Sequence, residues 1–470
     1  MDMKKISFLL PLMLLATLLN AQDLTGSWYG TLNIQGTKLP IVFHVKSNEQ
    51  GFTSTMDSPS QGAMGIPTDK TSIDGKNITI EAAKFGMVYK GTYQADSNLL
   101  KGNFTQGPMS LPLTFSRTKE AKAIVKPVIR PQDPTDFPYK QEEVSFSNPK
   151  GGNQLSGTLT IPNTGKVTKI VVLISGSGPQ NRNEEIAQYN HRPFLVWSDW
   201  LTRNGIAVLR YDDRGVGKST GVFNNSTSAD FADDAEAAVD YIKSRADLNK
   251  LSIGLVGHSE GGMIAPMVAS RNSNVKFIVL LAGPGIPISK LLVQQNKDIM
   301  RLAGAPDNAV DAAATLNEKI YAAVINDKNL ANEEFKSKMS TFLTAELNGN
   351  QAGSPADIAQ QVKTITNQVS GTWYRYFLAF DPAVYLSKLK SPVLAVNGTL
   401  DAQVASEPNL NGIKESLSKA GHKHFEIVPL EGLNHLLQKS TTGSPNEYGE
   451  ISETVNPIAL QKVSDWIKKQ

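Results

Sequence analysis

Leu251-Ser252-Ile253-Gly254-Leu255-Val256-Gly257-His258-Ser259-Glu260-Gly261-Gly262-Met263-Ile264 is the stretch on which the fold turns. Leu251 to Val256 has the apolar density of a short buried strand, and Met263, Ile264 and Met267 open a helix directly afterwards. Between them, Gly257, Ser259 and Gly261 fit G-x-S-x-G, the tight strand-to-helix turn that presents a serine hydroxyl above a sheet. Glycines flank the serine because such a turn brings neighbouring backbone too close for side chains. With 37 glycines in the chain the pattern alone is cheap, and Gly217-Lys218-Ser219-Thr220-Gly221 matches it too. Ser219, however, follows a polar loop and leads into Phe223-Asn224-Asn225 with no helix. The context selects Ser259 as the nucleophile.

Working outward, strand-like Lys169 to Ser175, Ile206 to Tyr211 and Val275 to Leu281 alternate with helical segments. One of these carries Phe231, Ala235, Ala238, Val239 and Ile242 on one face, with Asp230, Asp233 and Asp234 near its start. This alternation predicts an α/β fold, a mostly parallel doubly wound sheet, over 142–470. From about Ile286 to Leu386 only helices are expected, among them Asp307 to Asn326 and Asn332 to Leu347, the shape of a cap over the sheet. Pro392 to Asn397 and His424 to Leu430 resume the strands, and Asn456-Pro457 opens a last helix.

Upstream, 22–118 shows short alternating runs such as Ile41, Phe43, Val45 and Leu111, Leu113, Phe115, an all-β domain. Its opening, Leu24-Thr25-Gly26-Ser27-Trp28-Tyr29-Gly30, resembles the Gly-x-Trp start of small up-and-down barrels, in which the Trp plugs one end. A packing or spacer module is expected there, with ligand binding in a barrel mouth as the alternative. Pro127, Pro131, Pro134 and Pro138 mark 119–141 as a semi-rigid linker. Residues 1–21 read as a signal peptide: Lys4 and Lys5, the apolar run Ile6 to Leu19, then Asn20-Ala21-Gln22 with a small residue at the cut. Export to a periplasm or the exterior is expected, a retained N-terminal anchor being the alternative.

The 470 residues are 40% hydrophobic and 19% charged, the balance of a folded globular protein. A net charge of +3 implies neither a nucleic-acid nor a membrane-surface partner, and no later apolar run is long enough for stable membrane insertion. The absence of cysteine removes thiol nucleophiles, Cys-ligated metals and disulfides. Nothing in the composition bears on oligomeric state.

A serine needs a base, and there are six histidines. His44 lies in the β domain, His191 precedes a helix, and His258 sits inside the turn beside Ser259. His422 and His424 share a strand face, where a zinc pair lacks a third ligand. His435, in Leu433-Asn434-His435 just after a strand at the carboxyl edge of the sheet, is the expected base. Asp401, on the loop after Pro392 to Asn397, is the expected orienting carboxylate. Asp381-Pro382 reads as a helix start, and Glu431 shares the loop of His435. Backbone donors for an oxyanion are expected at Glu260 and at Ser177, within Ser175-Gly176-Ser177-Gly178-Pro179-Gln180. Asp212 to Ser219 ends in Gly-Lys-Ser, but Asp212 stands where a phosphate loop needs Gly. No cofactor and no metal is expected.

Together Ser175-Gly176-Ser177-Gly178-Pro179, Asp213-Arg214-Gly215-Val216-Gly217, Gly257-His258-Ser259, Asn397-Gly398 to Asp401 and Leu433-Asn434-His435 resemble the secreted bacterial carboxylesterases of the EstD type. These form an α/β-hydrolase group close to the serine aminopeptidase-like hydrolases. The resemblance covers about Glu142 to Gln470. It implies the α/β-hydrolase fold and action on small-molecule esters with short acyl chains, with Ser259 as nucleophile, His435 as base, Asp401 as orienter and a structural Arg214. An aminopeptidase or amidase, with Glu260 or a cap acid holding the substrate amine, stays open, as does a binding protein whose hydrolase activity is secondary. Trp373, Tyr374, Tyr376, Phe377 and Phe380 are expected either to line the pocket or to pack the cap.

Overall fold

Period-two alternation governs the first of two units, Met1–Ala123, and strand–helix alternation the second, Ile124–Gln470. The computed structural model describes residues 24–34, 37–49, 51–59, 63–83, 86–106, 109–118, 130–349 and 355–470. The expected leader and the linker stretch 119–129 lie outside the described residues.

The first unit contains β1 (Gly26–Ile34), β2 (Thr37–Asn48), β3 (Gly51–Ser58), β4 (Ala63–Pro67), β5 (Lys70–Asp74), β6 (Asn77–Ala82), β7 (Met87–Gln94), β8 (Leu99–Gln106) and β9 (Met109–Ser116). Neighbours pair antiparallel in the order β2-β1-β9-β8-β7-β6-β5-β3, and β2 pairs again with β3, so eight strands close into a barrel with β4 alongside β3. Closure removes the free edges an open sheet would expose. Phe43, Tyr89 and Phe115 fill the centre at ring separations of 4.9–5.7 Å. Trp28 is fully buried with its indole N–H on the Leu24 carbonyl, 2.9 Å away.

The second unit begins with the hairpin β10 (Tyr139–Asn148) and β11 (Asn153–Pro162), then β12 (Lys169–Ile174), α1 (Pro193–Arg203), β13 (Ala207–Tyr211), α2 (Ser228–Ser244), β14 (Ser252–His258), α3 (Glu260–Ala269) and β15 (Val275–Leu281). The cap follows as α4 (Ile288–Leu302), α5 (Asp307–Asp327), α6 (Asn332–Gly349), α7 (Pro355–Val369), α8 (Thr372–Leu378) and α9 (Ala383–Leu386). The chain closes with β16 (Val393–Gly398), α10 (Ser406–Lys419), β17 (Phe425–Leu430) and α11 (Pro457–Lys468). The sheet order is β10-β11-β13-β12-β14-β15-β16-β17, parallel from β13 to β17.

Alternate strand residues supply the two faces of the sheet. Val172, Ile253 and Leu255 join α2 and α3 in one core, while Val171, Leu173 and Val256 join α1 and α11 in the other. Thr227 and Asp230 cap α2 reciprocally, the Asp230 carboxylate accepting the Thr227 N–H at 2.8 Å. The cap has its own core around Val324, Phe335, Met339 and Leu343.

His422 and His424 precede β17, and the His422 imidazole Nε2 lies 3.0 Å from the Ser391 carbonyl. From Arg130 onward the expected linker is held to the second unit. Arg130 donates to the carbonyls of Tyr189, Tyr448, Ile451 and Glu453, and Gln132 bonds Thr454 and Val455.

Candidate active site

Ser259 stands between the end of β14 and the start of α3 with φ 53° and ψ −118°, a left-handed conformation costly for a side-chain-bearing residue. Three close approaches hold it there. A Cβ on Gly257 would lie 2.0 Å from the Gly261 carbonyl oxygen, one on Gly261 would lie 2.1 Å from that of Ile174, and one on Gly262 would lie 2.7 Å from Gly283 Cα. Ser219 has no such freedom, since its hydroxyl donates to the Asp212 carbonyl at 2.7 Å and accepts the Ser156 N–H at 2.9 Å.

His435 Nδ1 lies 2.8 Å from Asp401 Oδ2, both side chains being buried. The other oxygen of Asp401 accepts the N–H groups of Gln403 and Val404, each at 2.8 Å, so the carboxylate cannot swing away from the imidazole. Asp381 is elsewhere, accepting the Ala383 N–H at 3.0 Å near the start of α9. Ser259, His435, Ser177 and Glu260 share one cavity of about 500 Å³. A larger cleft of about 900 Å³ opens beyond Asp401, between Asp298, Arg301 and Glu407, and does not reach the serine.

The Glu260 amide is at the first position of α3, where a helix has no internal acceptor for its N–H. On the facing loop the Gly176 N–H is spent on Glu184 at 2.7 Å, and Ser177 is the next amide along. Asp213 braces this loop by accepting from the Ser175 hydroxyl and the Gln180 N–H, and burial pushes its carboxyl up to about 8. The Glu260 side chain is buried and accepts from Ser228 at 2.6 Å and from the indole N–H of Trp373 at 3.0 Å. Burial raises its pKa, which favours the neutral acid.

Sequence reading did not find the role of Glu184. It takes positive φ and receives His258 Nδ1 at 2.8 Å, while His258 Nε2 lies 3.1 Å from the His435 carbonyl. Burial alone would lower the His258 pKa, but the Glu184 carboxylate outweighs it and the imidazole stays raised. Of the cap aromatics, Trp373 and Phe377 line the cavity, stacked at 4.7 Å, and Tyr374 packs on the cap core. Arg214 is buried on Asp234, its Nε 2.6 Å from the carboxylate.

A second Ser–His–Asp chain lies on the barrel, with Ser27 Oγ 2.8 Å from His44 Nδ1 and His44 Nε2 2.9 Å from Asp57. Ser27 and His44 are cross-strand neighbours on the face opposite the buried Trp28 and Phe43, and Ser27 is not on a strained turn. It is a polar strand pairing. Among the described residues no group of three or more His, Asp or Glu side chains could hold a metal, and no helix is long and apolar enough to cross a membrane.

Residues 166–342 match the family described as serine aminopeptidase, S33. Esterase EstD of Thermotoga maritima is 25% identical over 407 residues, covering 83% of each chain. That span exceeds the length of the second unit, so the likeness reaches into the barrel unit as well. The uncharacterized protein YfhR of Escherichia coli O157:H7 is 29% identical over 145 residues, 30% of this chain and 47% of YfhR. A solved esterase of Pyrococcus furiosus aligns at TM-score 0.43 and 16% identity, over 72% of this chain and 93% of that one. The sheet order and the serine at a strand-to-helix turn give the second unit an α/β-hydrolase fold, and in sequence the chain is similar to the serine aminopeptidase, S33 family over 166–342 and to Esterase EstD.

Proposed function

We propose that the protein is an exported serine carboxylesterase that cleaves short-chain carboxylic esters through an acyl-enzyme. The observation that carries this is the strained Ser259 sharing a cavity with a His435 imidazole already aligned on Asp401 at 2.8 Å. His435 Nε2 takes the hydroxyl proton as Ser259 Oγ bonds to the ester carbonyl carbon. The Ser177 and Glu260 amides donate to the oxyanion, and Asp401 stabilises the imidazolium without taking its proton. The C–O bond then breaks, the alcohol leaves with the proton from His435, and water repeats the sequence to free the acid and Ser259.

Ester is favoured over aminoacyl amide by Glu260, whose carboxyl is already hydrogen-bonded and is pushed toward neutrality, a poor anchor for an ammonium group. The EstD relative supports the same choice. Export is part of the proposal on the strength of the leader-like residues 1–21 and the missing cysteines. A fluorophosphonate probe should label Ser259, and Ser259→Ala should abolish both labelling and hydrolysis of p-nitrophenyl acetate. Labelling that survives the substitution would overturn the assignment.

A further inference from the structure

An ester has two halves, and the site distinguishes them. The alcohol must depart beside His435 Nε2, because that atom hands it a proton. Along the cavity wall that adjoins the Asp401–His435 pair runs a hydrogen-bonded chain drawn from three separate segments. Gln295 on α4 donates to the Gln403 carbonyl at 3.0 Å, and the Gln403 side chain donates to the Tyr448 hydroxyl at 2.8 Å. The Gln403 backbone in turn holds Asp401.

This chain fixes the wall's rotamers and leaves its outward-facing capacity unspent. Tyr448 is 5% exposed, and its hydroxyl accepts from Gln403, so its own proton remains to be donated. The side-chain carbonyls of Gln295 and Gln403 remain as acceptors. All three residues line the cavity that holds Ser259.

Charge narrows the choice further. Among the described residues no lysine or arginine lines this cavity, and the raised imidazole of His258 is balanced by Glu184. A phosphorylated or carboxylated alcohol would find no free cation among these lining residues to pair with. A hydrocarbon alcohol would cover the amide carbonyls and the phenol and leave them without hydrogen-bond partners. Hydroxyl groups, which donate and accept at once, match both.

We infer that the alcohol half of the substrate is an uncharged, sugar-like polyol, recognised by Gln295, Gln403 and Tyr448 beside the catalytic histidine. The inference rests on the Ser259–His435 reading above and adds the substrate class to it. The acyl half then falls to the stacked rings of Trp373 and Phe377. The products are a free polyol and a carboxylic acid.

The test uses the full chain and three acetates: a monoacetylated methyl glucoside, cyclohexyl acetate as the same ring stripped of hydroxyls, and an acetylated glycerol phosphate. kcat/KM is read by titration of released acid. The glucoside ester should exceed cyclohexyl acetate by about tenfold or more, the worth of one to two retained hydrogen bonds, and the phosphorylated ester should be the poorest. Tyr448→Phe and Gln403→Leu should each shrink the glucoside-to-cyclohexyl ratio several-fold. Equal or better turnover of cyclohexyl acetate overturns the inference, as does a ratio unmoved in both variants. In either case p-nitrophenyl acetate hydrolysis and Ser259 labelling persist. If those two fail as well, the parent reading has fallen and takes this one with it.

Discussion

His258 Nδ1 meets Glu184 Oε1 at 2.8 Å in the cavity that holds Ser259. The same carboxylate oxygen holds the Gly176 N–H, and the far side of the imidazole reaches the His435 carbonyl. One buried pair therefore ties together the serine turn, the oxyanion loop and the loop of the base.

The pair makes stability depend on pH with a definite sign. The His258 pKa is raised in the fold, so its contribution is full below the unfolded value of about 6.5 and is lost as pH rises through the folded value. Glu184→Gln should destabilise the fold more near pH 6 than near pH 9, by on the order of 2 kcal/mol at the lower pH. Melting curves across this range check it. A deficit that grows toward alkaline pH would contradict the ion-pair account.

His191 behaves in the opposite way. It is fully buried with Nε2 3.0 Å from the Thr454 carbonyl, and burial depresses its pKa to about 4. The unfolded chain takes up this proton from about 6.5 downward, so stability is present above that value and falls as pH drops toward about 4. The loss should be on the order of 3 kcal/mol. His191→Gln should flatten the acid limb of a midpoint-against-pH curve, and an unchanged limb would assign acid sensitivity elsewhere.

For the reaction itself, Asp401→Asn should lower kcat by about 10³- to 10⁴-fold with little change in KM, since the amide cannot stabilise the imidazolium. Asp381→Asn should leave turnover within about twofold, because that carboxylate only meets the Ala383 amide. Steady-state kinetics on one short p-nitrophenyl ester compare the two. A larger loss at Asp381 would reassign the third member.

Removing the barrel should spare chemistry, provided the cut respects Arg130. A chain beginning at Ile124 keeps Arg130 and Gln132 on the carbonyls of 448–455, and its kcat on a small ester should be unchanged. One beginning at Pro138 loses these bonds and should be less stable by on the order of 3 kcal/mol. Equal melting of the two truncations would show the clasp to be dispensable. A hundredfold fall in kcat for the longer one would mean that the barrel unit serves the active site.

What was legible in the chain was what is local. The run Leu251 to Val256 followed by spaced glycines gives away β14, the turn and α3, and helical periodicity places α5 within a residue of its observed end. Ser177, Glu260, Asp401 and His435 could be nominated because each follows a readable strand or turn. Glu184, Gln403, Tyr448 and Arg130 could not. Each acts on residues far away in sequence and sits in irregular backbone, where no period marks which side chain turns inward. The cap aromatics were ambiguous for a related reason, since Trp373, Tyr374 and Phe377 follow one another within two turns of α8 yet face different neighbours.

The Arg130 clasp also dictates an order of events during synthesis. Its partners at Tyr448, Ile451 and Glu453 lie 318 to 323 residues downstream, so Arg130 has only the Tyr189 carbonyl to bond while the cap and most of the sheet are made. The barrel, whose partners all lie within its own stretch of chain, has no such wait. The hydrolase unit can be fastened at its beginning only after its end has emerged, and a ribosome that stops before Tyr448 leaves it unlatched.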